Sequence, residues 1–200
     1  MAQNRLLLLF VRNPESGKVK TRLAKDLGNE KALEIYIKLL EHTHSITQQV
    51  KAAKLVYYAD EVKEHDLWES GEYQKSVQPA GDLGYKMEYA FNKAFLEGYK
   101  DVVIIGSDCL QLDQELIEQA FSDLETGDIV LGPATDGGYY LLGMKQLHSS
   151  LFRDKAWSTA SVFSETLAAI KHENLTYTLL PVLSDIDRAE DVPAAWLDLK

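Results

Sequence analysis

The sequence has very little cysteine, which narrows the ways in which its fold can be stabilised. Cys109 is the single cysteine among 200 residues. An internal disulfide is therefore excluded, and one cysteine without a nearby Cys or His partner cannot build a structural zinc site. We interpret Cys109 as a small buried residue rather than as a nucleophile.

Positive charge is also scarce. The chain carries 21 Lys and Arg residues against 31 Asp and Glu residues, a formal net charge of −10, with a pI near 5.0. Because affinity for a phosphate backbone depends on a surplus of Lys and Arg, we expect no nucleic-acid partner. Any polyanionic ligand must instead meet a local cluster of cations.

Long apolar runs are missing as well. The longest, residues 6–11, cannot span a bilayer or form a full signal-peptide core. We therefore predict no membrane span and a cytoplasmic protein. The hydrophobic content of 46% over 200 residues suffices to bury one sizeable core, so we predict one domain over residues 1–200.

Short apolar runs alternate with segments of helical spacing along the chain. The runs predict strands, and the apolar spacing predicts helices at 30–50, 85–94 and 113–124 and a helix that opens at Trp157. The predicted strands cover residues 6–11, 54–60, 103–105, 129–131, 139–143 and 177–182. This alternation predicts an α/β fold with a largely parallel sheet.

The strand at 103–105 ends in Gly106, Ser107 and Asp108. Its unbroken apolar character is typical of a central strand that is buried on both faces. Ligands of open α/β sheets lie beyond the carboxyl ends of the strands, which would place Asp108 at the rim of the ligand crevice. A turn or a helix N-cap is the plain structural alternative.

The loop after the first predicted strand is basic in an otherwise acidic chain. Residues 12–23 contain Arg12, Lys18, Lys20 and Arg22 against one acid. The loop is not a Walker A motif, because Arg12 stands where the first glycine would be and Val19 follows the lysine. We interpret it as an anion site, with a solvated basic turn as the alternative.

Two glycine-rich segments lie further along the chain. The glycines of residues 81–84 would let a ligand approach the backbone closely, although the segment could also be a simple turn. Residues 136–139, Asp-Gly-Gly-Tyr, are either a hairpin turn or part of an acceptor or sugar site.

Six segments, taken in order, resemble a group of bacterial transferases with the nucleotide-diphospho-sugar transferase (GT-A-like) fold, the DUF2064 family, often labelled glycosyltransferases. They are residues 20–23, 81–84 with Met87, 106–109, 136–139, 157–159 and 185–187. Leu110 departs from the proline usual after the cysteine. The basic loop is also similar to that of phospholactate guanylyltransferases and, more distantly, of molybdenum cofactor guanylyltransferases.

The resemblance implies a three-layer α/β/α fold and a metal-dependent site for a nucleotide or nucleotide sugar and a small-molecule acceptor. Hard phosphate and carboxylate oxygens suit Mg²⁺ or Mn²⁺. Asp108 would be the first metal ligand. Asp187 would be the second if the last strand returns beside the central one, with Asp185 as the alternative.

The same resemblance implies roles for the remaining residues. The catalytic candidates are Asp108, Asp136 and Lys20. The nucleotide would be bound by Arg12, Lys18, Lys20 and Arg22 at its phosphates and by Gly81, Asp82, Leu83 and Gly84 at its base and ribose. The acceptor or sugar would be contacted by Asp136, Gly137, Gly138, Tyr139, Trp157 and Ser158.

Three functions remain open. The first is glycosyl transfer from a nucleotide sugar, with Asp136 contacting the sugar or deprotonating the acceptor. The second is nucleotidyl transfer, in which a phosphorylated acceptor attacks a nucleoside triphosphate and pyrophosphate leaves. The third is a non-catalytic nucleotide-binding module, against which the acidic positions beside the basic loop count.

Overall fold

The computed structural model describes residues 4–197, so the predicted domain of residues 1–200 extends beyond them at both ends. The strands are β1 (Arg5–Val11), β2 (Ala53–Tyr58), β3 (Gln74–Val77), β4 (Asp101–Ile105), β5 (Ile129–Pro133), β6 (Tyr139–Met144) and β7 (Tyr177–Leu179). The helices are α1 (Thr21–Leu27), α2 (Asn29–Thr47), α3 (Leu83–Leu96), α4 (Gln114–Asp123), α5 (Val162–His172) and α6 (Ala194–Leu197). Short 3-10 helices cover Ser149–Leu151 and Ala189–Asp191.

The strands form one seven-stranded sheet in the order β3-β2-β1-β4-β6-β5-β7. Every pairing is parallel except the two made by β6, which runs antiparallel to β4 and to β5. The α/β fold with a largely parallel sheet is therefore confirmed. The strand that ends before Asp108 occupies the middle of that sheet, as predicted.

Helices cover both faces of the sheet because its strands are apolar on both faces. In β1, Leu7 and Leu9 join the core beneath α2 and α4, whereas Leu6 and Leu8 join the core beneath α3 and α5. Side chains of successive strand residues point to opposite faces, so an unbroken apolar run supplies both cores. The result is the three-layer α/β/α architecture.

Two elements carry too little signal in the sequence to be predicted. The edge strand β3 has no buried residue, so it lacks the apolar pattern that marks the inner strands. Helix α1 is only seven residues long and buries Leu23 alone. By contrast, the helix predicted over 113–124 is confirmed, and Asp113 caps its start, since the Asp113 carboxylate accepts a hydrogen bond from the Leu116 amide at 2.8 Å.

Two predictions near the C-terminal end are wrong. The helix expected to open at Trp157 begins at Val162, because Ser158 has a left-handed backbone with φ of 65° and the residues around it form turns. The strand expected over 177–182 ends at Leu179 and pairs with β5 at the edge of the sheet, not with the central strand.

The segment after β7 nevertheless returns to the centre of the sheet. Leu183 bridges Ala134 beyond the end of β5, and the Ile186 amide donates to the Asp108 carbonyl oxygen at 2.9 Å. Residues 183–187, here called the crossing segment, therefore run over the carboxyl ends of β5 and β4. This path, rather than a strand, brings Asp185 and Asp187 towards Asp108.

Within residues 4–197, none of the helices has the length and apolar character needed to cross a membrane. The cytoplasmic location stays a prediction.

Candidate functional site

A crevice of about 780 Å³ opens at the carboxyl edge of the sheet. Its walls include Arg12 after β1, Ser107 and Asp108 after β4, and Asp136 after β5. The chain leaves β1 towards β2 on one side, while β4 lies on the other side, so the crevice coincides with the point where the strand order reverses. Ligand sites of open α/β sheets form at such points.

Asp108 stands at the rim of this crevice and is paired with Lys20. The Lys20 Nζ lies 3.0 Å from the Asp108 Oδ2, with the lysine side chain 6% exposed and the aspartate side chain 49% exposed. Lys20 has a left-handed backbone with φ of 47° and precedes the first residue of α1. The basic loop and the end of the central strand, far apart in the sequence, therefore meet at this ion pair.

A second ion pair joins α1 to the crossing segment. The Arg22 Nη1 lies 2.8 Å from the Asp187 Oδ2. The Asp187 amide donates to the Asp191 carboxylate at 3.0 Å, which ties the crossing segment to the short 3-10 helix that follows. The structure thus places two cations of the basic loop directly beside the two predicted metal ligands.

Two further carboxylates, Asp136 and Asp185, line the same crevice. Burial and then the nearby charge of Asp136 raise the pKa of Asp185 above its ordinary value. The Asp136 Oδ1 accepts a hydrogen bond from the Gly138 amide at 2.8 Å, which holds the carboxylate on its own turn. The crevice therefore gathers four carboxylates, of which two carry a basic partner.

The carboxylates of the crevice fit a hard divalent cation whose remaining ligands would come from the bound nucleotide. Within residues 4–197 the side chains form no cluster of three or more His, Cys, Asp or Glu able to hold a metal alone. Mg²⁺ is usually held by one or two carboxylates together with substrate phosphates and water. Asp108 and Asp187 offer such carboxylates, and the choice between Asp187 and Asp185 as second ligand stays a prediction.

The other two predicted phosphate contacts differ in placement. The Arg12 side chain lines the crevice, and its guanidinium forms no hydrogen bond or ion pair with residues 4–197. Lys18 is 63% exposed, pairs with Glu15 at 2.7 Å and lies outside the crevice wall. Arg12 is thus free to meet a ligand, whereas Lys18 is engaged elsewhere on its own loop.

Residues 81–84 form the entry to α3. Leu83 lines the crevice, while the Asp82 carboxylate caps the helix by accepting from the Tyr85 amide at 2.8 Å. Gly81 precedes the cap with φ of 140°. Gly84 is buried against Trp157, so close that an added Cβ would lie 2.2 Å from the indole Nε1. Of this segment, only Leu83 is part of the crevice wall.

The predicted acceptor residues form a further part of the crevice wall. Asp136, Gly138, Tyr139, Trp157 and Ser158 all line the crevice. The Trp157 Nε1 donates to the Phe152 carbonyl oxygen at 3.2 Å, which fixes the indole ring in place. Gly137, with φ of 89°, supports this wall from behind, because an added Cβ would lie 2.1 Å from the Ala160 carbonyl oxygen.

The crevice wall also contains residues that were not predicted from the sequence, among them Tyr36, Gln78 and Lys86. Lys86 lies in the first turns of α3, next to Met87 of the glycine-containing segment, so helical spacing from Leu83 could have indicated it. Tyr36 and Gln78 carry no such signal. The sequence pattern around Tyr36 indicates only a core position of an amphipathic helix. Gln78 follows β3, a strand that the sequence pattern does not predict.

Cys109 is buried, as predicted, at 7% exposure. Its thiol lies 3.7 Å from the Ser184 carbonyl oxygen of the crossing segment. Burial raises the pKa of the Cys109 thiol to about 11, so the reactive thiolate is scarce at neutral pH.

The fold places the chain in the class of proteins that share the nucleotide-diphospho-sugar transferase fold. The fold is that of a candidate nucleotide-diphospho-sugar transferase from Desulfovibrio desulfuricans G20, which is 32% identical and superposes with a TM-score of 0.88 over 93% of this chain and 83% of that one. The inositol-1-phosphate CTP transferase from T. maritima is 13% identical, with a TM-score of 0.61 over 99% and 95% of the two chains.

The 4-diphosphocytidyl-2C-methyl-D-erythritol synthase from Anaerococcus prevotii DSM 20548 is 9% identical, with a TM-score of 0.60 over 95% and 93%. At 13% and 9% identity, the last two similarities establish the fold alone. Residues 42–159 match the family described as "Uncharacterized protein conserved in bacteria (DUF2064)", and the chain belongs to this family. No curated protein matches the sequence.

Proposed function

We propose that the protein is a metal-dependent transferase that acts on a nucleotide sugar and passes the sugar to an acceptor hydroxyl. The observation that carries this proposal is the meeting of Lys20 with Asp108 and of Arg22 with Asp187 at the carboxyl edge of the sheet. A site that must hold phosphates beside carboxylates needs cations interleaved with acids, and this edge supplies them.

Different residues at the carboxyl edge of the sheet would contact the phosphates, the metal ion and the nucleoside. Arg12, Lys20 and Arg22 would donate charge-assisted hydrogen bonds to phosphate oxygens, the two arginines in bidentate fashion. Asp108 and Asp187 would hold Mg²⁺ or Mn²⁺, which when bound offsets the charge that builds on the leaving phosphate. Leu83 and Lys86 line the crevice where the nucleoside would lie.

Sugar transfer is supported by the wall residues Trp157 and Asp136 and by the most identical of the structures compared above. Trp157 offers a fixed aromatic edge, and Asp136 offers a carboxylate held only by its own turn. Asp136 would contact a sugar hydroxyl or accept the proton of the acceptor hydroxyl. The relative at 32% identity, which spans 93% of this chain, carries the description of a candidate nucleotide-diphospho-sugar transferase.

Nucleotidyl transfer is the second candidate, and one observation favours it. Arg12 and Arg22 line the crevice and Lys20 lies behind the Asp108 carboxylate, an arrangement that would also suit a departing pyrophosphate. In that reaction a phosphorylated acceptor attacks the α-phosphate of a nucleoside triphosphate, and the bond to pyrophosphate breaks.

The two reactions release different products, so one assay separates them. With Mg²⁺ or Mn²⁺, a panel of nucleotide sugars should release nucleoside diphosphate slowly even without an acceptor, since water can replace the missing hydroxyl. Nucleoside triphosphates with phosphorylated metabolites should release no pyrophosphate. Asp108→Asn should abolish turnover, while Asp113→Asn, which alters the remote cap of α4, should retain it. Pyrophosphate release that depends on Asp108 and on a phosphorylated acceptor would instead establish nucleotidyl transfer.

A further inference from the structure

Tyr36 is a buried tyrosine of α2 whose hydroxyl reaches the wall of the crevice. The residue is 1% exposed and is one of the largest fully buried side chains of the molecule. It nevertheless appears among the residues that line the crevice, beside Arg12, Ser107 and Asp108. The Tyr36 ring therefore packs in the core, while the hydroxyl forms part of the crevice wall.

The hydroxyl joins two loops that carry the site. The Arg12 amide donates to the Tyr36 hydroxyl oxygen at 2.8 Å, and the hydroxyl lies 3.2 Å from the Arg12 carbonyl oxygen. It also lies 3.2 Å from the Ser107 Oγ. A hydroxyl donates once and accepts twice, so donation to the carbonyl and acceptance from the amide and from Ser107 use its full capacity.

The two loops are those whose relative position decides the site. Arg12 opens the basic loop of residues 12–23, which contains Lys20, and Ser107 immediately precedes Asp108. The Lys20 to Asp108 ion pair at 3.0 Å forms only if both loops keep their relative position. Burial raises the pKa of Tyr36 to about 12, which keeps the hydroxyl protonated and able to donate at neutral pH.

We propose that Tyr36 is a positioning residue that fixes the basic loop relative to the Asp108 carboxylate. The inference rests on the proposed function, and Tyr36 itself touches no reacting group. Tyr36→Phe would leave the Arg12 amide without its acceptor. It would also remove the hydroxyl that links the Arg12 loop to the Ser107 loop, so the two loops would be free to move apart. Misplacement of a binding loop by about 1 Å can lower activity on the order of 100-fold.

Tyr73 offers a matched control. It is 2% exposed, and its hydroxyl lies 3.0 Å from the Thr47 Oγ1 at the far end of the same helix α2. Its ring packs against Trp68 and His44, and it does not line the crevice. Tyr36→Phe and Tyr73→Phe therefore each remove a phenolic oxygen from a similarly buried side chain. The Tyr36 hydroxyl lies at the crevice, and the Tyr73 hydroxyl lies outside it.

The test is calorimetry of UDP, GDP, CDP and ADP with Mg²⁺, and of the four corresponding nucleosides, against wild type, Tyr36→Phe, Ser107→Ala and Tyr73→Phe. We expect Tyr36→Phe to weaken the best diphosphate by roughly tenfold or more while its nucleoside binds as before. Ser107→Ala, which removes only the link to the second loop, should show the same selective loss, and Tyr73→Phe should show none. Hydrogen exchange should show the Arg12 amide deprotected in Tyr36→Phe alone.

Each contrary outcome has a distinct meaning. If Tyr36→Phe and Ser107→Ala bind the diphosphate like wild type, or if Tyr36→Phe weakens diphosphate and nucleoside equally, Tyr36 merely packs the core and the inference is wrong. If Tyr36→Phe does not fold, Ser107→Ala alone decides the question. If wild type binds none of the four diphosphates with Mg²⁺, the proposed function fails, and the positioning role fails with it.

Discussion

Lys20 combines a left-handed backbone, a nearly buried side chain and an ion pair with Asp108. A non-glycine residue in this backbone region raises the free energy of the fold by about 1–3 kcal/mol and persists only where its surroundings hold it there. Here the surroundings are the carboxylate of Asp108 and the start of α1. The conformation aims the amino group at the crevice rim, where the proposed phosphates would lie.

Arg22 can be tested against an arginine in a comparable setting. Arg22 pairs with Asp187 at 2.8 Å with its side chain 62% exposed, and Arg153 pairs with Glu88 at 2.6 Å with its side chain 65% exposed. Only Arg22 lines the crevice. We predict that Arg22→Gln lowers the affinity for nucleoside diphosphates by roughly tenfold and leaves nucleoside affinity unchanged, because it removes a charge-assisted phosphate contact.

The measurement is calorimetry with Mg²⁺ present, and Arg153→Gln is the control. The Asp187 side chain is 37% exposed and the Glu88 side chain is 14% exposed, so Arg22→Gln should unfold near the wild-type temperature and Arg153→Gln somewhat below it. Equal losses for diphosphate and nucleoside, or an equal loss in Arg153→Gln, would show that Arg22 has a structural role only. Lys18→Gln is expected to have a smaller effect than Arg22→Gln, because Lys18 is paired with Glu15 outside the crevice wall.

At the scale of elements, the contact between the start of α3 and the Trp157 loop shapes one wall of the crevice. A Cβ on Gly84 would lie 2.2 Å from the Trp157 Nε1 and 2.4 Å from the Phe152 carbonyl oxygen. Gly84→Ala must therefore push the helix away from the loop. We predict a destabilisation of about 1–3 kcal/mol, as for other overpacked sites.

Thermal unfolding measures this effect, and the melting temperature of Gly84→Ala should fall by about 2 °C or more. Gly71→Ala is the control, since no atom lies within 4 Å of its added Cβ. The same crowding should displace Trp157, so the tryptophan fluorescence of Gly84→Ala should change as well. An unchanged melting temperature would show that the wall yields easily and does not constrain the site.

The inner elements could be predicted from the sequence because their pattern is strong. Strands β1, β4 and β5 are short apolar runs that end in polar or glycine residues, and both their existence and the position of Asp108 after the middle strand are confirmed. The edge strand β3 could not be predicted, because an edge strand with no buried side chain has no apolar pattern. Helix α5 was placed five residues too early, because Trp157 opens a turn rather than the helix.

The site was only partly predictable for a related reason. Charged residues in loops stand out in the sequence, so Lys20, Arg22, Asp108 and Asp187 could be named, but their pairing depends on the crossing segment. The condition stated for Asp187, a last strand beside the central one, is not met, since β7 pairs with β5. Tyr36 stayed hidden because nothing in a helix pattern distinguishes a buried hydroxyl that reaches a crevice from one that does not.

At the scale of the whole molecule, the crevice is locally balanced although the chain carries a net charge of −10. Its four carboxylates, Asp108, Asp136, Asp185 and Asp187, face Arg12, Arg22 and Lys86 in the wall and Lys20 behind Asp108. A nucleoside diphosphate brings several further negative charges into this balanced space. Binding of the nucleotide alone would therefore leave uncompensated charge beside the carboxylates.

A cation alone meets the opposite obstacle. Asp108 and Asp187 already hold Lys20 and Arg22, so a metal ion must displace them, and the two displaced cations then need a new anionic partner. The phosphates of a nucleotide would be that partner. Metal and nucleotide should consequently bind together more tightly than either does by itself, which is positive coupling between two ligands.

We therefore predict that the melting temperature rises substantially only when both ligands are present. A ligand at 100 times its dissociation constant stabilises the native state by about 2.7 kcal/mol, which corresponds to roughly 5–10 °C for a chain of this size. Thermal unfolding should show this shift with nucleoside diphosphate plus Mg²⁺ and a much smaller one with Mg²⁺ alone or with diphosphate plus EDTA. Lys20→Met should strengthen the response to Mg²⁺ alone, because Asp108 is then no longer paired. A full shift with diphosphate and EDTA would show that the site holds its nucleotide without a metal ion, and the roles proposed for Asp108 and Asp187 would then be wrong.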